Sequence, residues 1–364
     1  MHTTDQAHRV IFIDLLRAIA VLQMVQGHTV DVVLANQFRT TELPVFAVWY
    51  FLRGMTAPIF MFTAGTVFTY LFHSVKKPFE KNYRVKKGIK RGLLLLFLGY
   101  MLKYPTWKLL DFASVSPEKW NLFISVDVLQ LIGMSLFILI AILFAIEKLK
   151  LNYTALFIIL STIVFVSSPF IETVNWISIL PAPIATYMYS GTGSLFPLFP
   201  WSGYVIAGGV LGCYLAQNPF VFKTTRFSIL LAIFGGAFTL VALLSGKLLN
   251  ALQIHIVNPQ TEPSTIFYRM GFVLLLTAVV SYISLRVNRI PFIIILAGRN
   301  TLLIYVVHLV ILYGSTWSPG INGLWSYSFT GWQSFFTALV MITLMTFMVL
   351  LIHKFKIRNK ELVT

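Results

Sequence analysis

Residues 9–34 read RVIFIDLLRAIAVLQMVQGHTVDVVL, a run long and apolar enough to cross a bilayer, yet Asp14, Arg17 and His28 lie inside it. About 20 residues at ~1.5 Å rise cover a hydrocarbon core of roughly 30 Å, and an Arg or Asp near the middle of such a helix costs about 2.5–3.5 kcal/mol. These side chains must therefore face protein or water rather than lipid. At ~100° per residue, the steps from Arg17 to His28 bring the helix round to within about 20° of where it began, and Asp14 lies one turn earlier. All three share a stripe. Asp31 follows His28 at the i+3 position, where a carboxylate can orient an imidazole.

Taken singly, each residue has a plainer reading. Asp14 and Arg17 fit a structural ion pair with Arg17 snorkelling outward, and His28 alone fits an interhelical hydrogen bond. An acid, a guanidinium and an imidazole on one face of one membrane helix point instead to a functional stripe, with Asp14, Arg17, His28 and Asp31 as its members.

The rest of the chain agrees with a membrane setting. Of 364 residues 57% are hydrophobic and 11% charged, which excludes a soluble globular class. The single cysteine, Cys213, can form no intrachain disulfide and no cysteine-rich metal site. The buried charges and the lack of a small-residue cleavage site mark the first span as a retained helix, not a signal peptide. No phosphate-cradling Gly-rich loop, HExxH, GxSxG or Cys/His ligand spacing occurs, so nucleotide, zinc and serine hydrolysis are unsupported and no metal is expected.

The net charge of +16 is read as membrane sidedness rather than nucleic-acid binding. Ten apolar spans are expected, at 9–34, 44–72, 90–104, 121–146, 152–170, 196–216, 227–249, 265–285, 292–314 and 331–353. With the N-terminus inside, most basic residues collect in cytoplasmic segments: Arg9, the cluster at 76–91, Lys148, Lys150, Lys223, Arg226, Arg286, Arg289, Lys354, Lys356, Arg358 and Lys360. Only Arg39, Lys103, Lys108, Lys119 and Lys247 fall outside. The expected fold is an all-α polytopic membrane protein with both termini cytoplasmic and a single membrane domain over 1–364.

The connection KKPFEKNYRVKKGIKR at 76–91 is the densest charge run. It serves as a topology signal beside anionic headgroups, and it also suits a polyanionic cytosolic ligand. On the expected outer side, 168–195 and 315–330 are rich in Pro, Gly, Ser and aromatics, fit to cap a cavity or to offer rings to a sugar. Later spans add Asp127 early in the fourth, Arg299 and Asn300 opening the ninth, and His308 one turn after Tyr305. Gly203, Gly208, Gly209 and Gly212 suit close helix packing.

An imidazole in a membrane helix can act as a general base on a hydroxyl or amine, or carry an acyl group itself. Arg17, between a cytosolic basic patch and His28, can orient a phosphate, a carboxylate or a developing oxyanion.

At these residues the chain resembles the transmembrane acyltransferase superfamily, in its branch related to heparan-alpha-glucosaminide N-acetyltransferase. The resemblance rests on IDLLRAIAVLQMVQGH, RGMTAPIFMFTAG, VDVLQLIGMS, FPLFPWSGYVIAGGVLG and AGRNTLLIYVVHLVILYG. The Arg17 and His28 pair is also similar to the Arg and His of the related membrane O-acyltransferase (acyltransferase 3) family. The resemblance implies acyl transfer from acetyl-CoA to a glycan or envelope polymer on the far side. It makes His28 the central residue, supported by Arg17, Asp14 and Asp31. Lys87, Lys90, Arg91 and Arg53 become the donor-binding edge, and Asp127, His308 and Trp201 the acceptor-binding residues. The lack of an extended lumenal segment before the first span favours a bacterial cytoplasmic (inner) membrane protein. Expected partners are the lipid bilayer, the acyl-CoA donor and the polymer acceptor, with self-association left open and nucleic acid excluded. The competing class is a secondary transporter using Asp14, Arg17 and His28 as a proton or substrate relay.

Overall fold

In the computed structural model, residues 11–108, 111–113, 115–287 and 289–361 are described, with side chains as far as 358. Arg9 and the side chain of Lys360, both counted among the expected cytoplasmic cations, lie outside the described residues. Every regular element described is helical: α1 (Ile11–Val33), α2 (Pro44–Ser74), α3 (Tyr83–Leu102), α4 (Pro117–Ile124), α5 (Val128–Leu149), α6 (Tyr153–Glu172), α7 (Ala182–Ala185), α8 (Leu198–Gln217), α9 (Thr225–Ala251), α10 (Pro263–Arg286), α11 (Phe292–Arg299), α12 (Thr301–Tyr313), α13 (Asn322–Trp325) and α14 (Gly331–Glu361).

Eight of these, α1, α2, α5, α6, α8, α9, α10 and α14, are long and apolar enough to cross a membrane, and α11 with α12 forms a ninth span bent by 78°. Together they make the chain an all-α polytopic membrane protein. Two of the ten expected spans differ from expectation. The third exists as α3, but Arg84, Lys86, Lys87, Lys90 and Arg91 crowd its first half and leave only its second half apolar. The ninth does not open at Arg299 and Asn300; it breaks there.

Local chemistry sets the helix starts. Asn82 Oδ1 accepts from Arg84 N at 3.0 Å, and Asn152 Oδ1 from Ala155 N at 2.9 Å, each satisfying an orphan donor for about 1 kcal/mol. Asp127, expected inside the fourth span, is instead the N-cap of α5. Its Oδ1 accepts from Val128 N at 3.0 Å while Gln130 Oε1 accepts from Asp127 N at 3.3 Å, and the apolar run is thereby divided into α4 and α5.

The chain divides into two compact units, the boundary in α2 falling at Pro58, whose ring removes one intrahelical hydrogen bond. One unit holds 58–286, the other 11–57 and 287–364. In the first, α8 packs against α6 and α5, α3 against α5, and α9 against α10. A Cβ at Gly208 would collide with the carbonyl oxygen of Phe62, and Thr66 Oγ1 donates to Gly208 O at 3.0 Å, so the glycines of α8 serve the close packing expected of them. The opposite faces of α9 and α14 expose Phe234, Leu244, Phe336 and Phe347, as lipid-facing surfaces do.

In the second unit α1 is the central helix, packed by α11, α12 and α14, with Ala18, Ala20, Val21, Val25 and Val33 fully buried. A Cβ at Gly298 would run into the backbone carbonyl of Asp14, so the α11 and α1 backbones meet there as closely as only glycine permits.

Candidate active site

The polar stripe of α1 finds its partners on the broken span. Asn300, with φ −109° and ψ 28°, is the joint between α11 and α12, and its Nδ2 donates back to Leu296 O at 2.8 Å. The residues flanking the joint both meet α1: Arg299 Nε lies 3.5 Å from Asp14 Oδ2, and Arg17 Nη2 donates to Thr301 Oγ1 at 3.0 Å. Asp14 is buried, so its carboxylate is stable within the span only because cations accompany it. The start of α12 adds backbone N–H groups and the positive end of a helix dipole beside Arg17. Donors and cations converging on a break in a membrane helix form an anion-binding arrangement.

The rise from Arg17 to His28 is roughly 16 Å along α1. His28 therefore belongs to a second layer. Its Nδ1 lies 3.2 Å from the Tyr313 hydroxyl at the end of α12, and its ring centroid lies 5.5 Å from that of His308. His308 is fully buried, and its Nδ1 is 2.8 Å from the carbonyl oxygen of Ile304. A carbonyl only accepts, so in the neutral ring Nδ1 holds the proton and Nε2 keeps its lone pair. Nε2 is buried with no hydrogen-bond partner among the described residues. Two imidazoles, one with an unused basic nitrogen, thus stand side by side. Tyr305 closes the other side of His308, edge-on at 5.7 Å.

Asp31 does not orient His28 in the way its i+3 spacing suggests. Its carboxylate pairs with the guanidinium of Arg53 and lies 3.9 Å from that of Arg39, two cations that outcompete an imidazole for an acid. Arg53, expected on the donor edge, is accordingly held at Asp31, near the C-terminal end of α1. Arg39 also donates from Nε to Leu34 O at 2.9 Å and stands 4.7 Å over the ring of Tyr327. Tyr327 N and Phe329 N donate to Val32 O and Val33 O at 3.0 and 2.8 Å, so part of the aromatic segment at 315–330 closes over the end of α1.

The remaining expected residues belong to the other unit. Asp127 caps α5 and pairs with Lys103 Nζ at 3.2 Å, which commits its carboxylate locally. Lys87, Lys90 and Arg91 lie on the exposed face of α3, with Lys87 Nζ 4.8 Å over the Tyr83 ring. Trp201 is buried, one face covered by the Arg269 guanidinium at 5.0 Å, so it offers no open ring for a sugar to stack on.

Tyr313, Thr301, Arg299 and Asn300 complete the two layers but were assigned no role from sequence. The polar pair Arg299–Asn300 inside an apolar run was the available signal, because such a pair is costly in an unbroken span.

No curated protein matches the sequence. A family model described as heparan-alpha-glucosaminide N-acetyltransferase, catalytic, matches residues 9–257, which include the whole polar stripe of α1 and end before α10. Since that match takes in more than half of the chain and the helix that carries Asp14, Arg17 and His28, the chain belongs to the heparan-alpha-glucosaminide N-acetyltransferase catalytic family, a family of membrane acetyltransferases.

Proposed function

We propose that the chain moves an acetyl group from cytosolic acetyl-CoA to an amine or hydroxyl of a glycan or envelope polymer on the far side of a bacterial inner membrane, with both termini cytoplasmic. The observation that carries this reading is the pairing of His28 with His308, whose Nε2 is buried and unpartnered, in a chain of an acetyltransferase family.

The two layers divide the work. The layer of Arg17, Arg299 and the start of α12 holds the anionic part of the donor, and the roughly 16 Å to His28 is bridged by the pantetheine arm. The exposed cations Lys87, Lys90 and Arg91 raise the local concentration of a polyanionic donor. At the upper layer an imidazole takes the proton of the acceptor O–H or N–H as the freed lone pair attacks the thioester carbonyl. The C–S bond then breaks and coenzyme A leaves as its thiolate, which recovers a proton. Alternatively His28 attacks first and carries the acetyl group before the acceptor takes it. Both routes need the His28 Nε2 lone pair, and both have Nδ1–H donating to the Tyr313 oxygen.

The test uses the purified chain with acetyl-CoA and a glucosamine-terminated oligosaccharide. Free thiol should appear only when acceptor is present, and acetyl-CoA should stabilise the protein far beyond an equal concentration of ADP. Ligand at 100 times its Kd adds about 2.7 kcal/mol. The broken α11–α12 span also favours a second reading, since carriers place substrate sites at such breaks. Movement of solute into vesicles without acetyl-CoA, and no thiol release, would replace transfer by transport.

A further inference from the structure

Within the unit formed by 58–286, Arg269 on α10 is an uncompensated cation. Its residue is 8% exposed, and Nε and Nη1 have no hydrogen-bond partner among the described residues. The ion pairs found among those residues do not include it. It is nevertheless held in place. The guanidinium carbon stands 5.0 Å over the ring of Trp201, which is itself 4% exposed and is braced edge-on by Phe196 at 4.9 Å. Next to Trp201, the Tyr204 ring is fixed by its hydroxyl donating to Ile266 O at 3.2 Å.

A guanidinium stacked on an aromatic face keeps its N–H groups in its own plane, directed past the ring edge. That is the geometry that recognises a planar oxyanion. Position supplies the charge of the ligand. Arg269 lies within two turns of the start of α10 at Pro263, and Trp201 within one turn of the start of α8 at Leu198, so both sit near span ends rather than mid-span. A dianion there would leave a net charge in a buried site, whereas a singly charged group neutralises it.

We propose that Arg269, pre-oriented by Trp201, binds a singly charged carboxylate on the sugar acceptor, making acidic, uronate-containing glycans the preferred acceptor class. This rests on the acetyltransferase reading for the identity of the sugar, while the oxyanion site itself stands on Arg269. Trp201 is then a positioning residue for the guanidinium.

The test measures thermal stabilisation of the detergent-purified full chain by glucuronic acid and by glucose, its neutral counterpart. Glucuronic acid should act at a concentration at least tenfold lower than glucose. Arg269→Gln should erase that preference, and Arg269→Lys, which keeps the charge but loses the planar donors, should retain part of it. Equal behaviour of the two sugars with the native chain would overturn the proposal, and that comparison needs no variant to fold. A preference that survives in Arg269→Gln would overturn it as well. Stabilisation by phosphatidylglycerol over phosphatidylcholine nanodiscs that depends on Arg269, with no preference for glucuronic acid, would assign the site to a lipid headgroup and likewise overturn it. Acetyl-CoA stabilisation run on the same samples separates these failures from failure of the acetyltransferase reading.

Discussion

At one end of α1, Asp14 and Arg17 meet Arg299 and Thr301, so each charge in the span is answered by an opposite charge or a hydroxyl. About three turns further on, His28 meets His308 and Tyr313, and one ring nitrogen, His308 Nε2, is left without a partner. Both layers are built from the same two elements, α1 and the broken α11–α12 span. The contrast separates binding from chemistry: compensated charge holds a ligand's anion in place, while an unused lone pair in a buried position is what proton or acyl transfer requires.

Substitutions sharpen that contrast in order of expected effect. His28→Ala should lower kcat by about 10²–10⁴, the usual contribution of a positioned base, while the melting temperature stays near that of the native chain. A variant with native turnover would move the chemistry away from α1. His308→Gln should cost about 10² in kcat, since the amide can still donate to Ile304 O but has no basic nitrogen to replace Nε2. Arg17→Met acts at the other layer and should raise KM for acetyl-CoA about tenfold with a smaller change in kcat, the signature of lost binding that is equal in ground and transition states. If kcat falls as far as in His28→Ala, the division between the layers fails. Tyr313→Phe should have the smallest effect, a severalfold loss in kcat, corresponding to one hydrogen bond of about 1 kcal/mol.

Much of the fold was legible in the sequence because a bilayer imposes strong rules: apolar length marked the helices, and the 100° period put Asp14, Arg17 and His28 on one face of α1. What the periodicity could not supply was the partner of that face. Tyr313 is 285 residues from His28, and Thr301 is 284 from Arg17, separations over which no local pattern operates. Three readings went astray for local reasons. The Asp31 carboxylate was claimed by Arg53 and Arg39, cations whose side chains reach it only through the turn between α1 and α2. Asp127 looked like a polar residue inside a span because the apolar runs on either side of it are nearly continuous, although an acid three residues before a glutamine also fits a capping box. The polar pair Arg299–Asn300 was read as a helix start when it is the joint between two helices, a choice that hydropathy alone does not make. Trp201, taken for an acceptor contact, is covered by Arg269, a residue whose importance lies in the absence of a partner and so has no sequence signature.

The most direct measurement is acceptor-dependent thiol release from acetyl-CoA by the native chain, His28→Ala, His308→Gln and the double variant, each confirmed folded by its melting curve. If the two imidazoles act as one centre, the double variant should be no slower than the slower single variant, because residues that work as a unit lose their contribution together. Losses that multiply in the double variant would show that the two rings act independently, and native-like release by either single variant would contradict the assignment of the His28–His308 layer as the site of transfer.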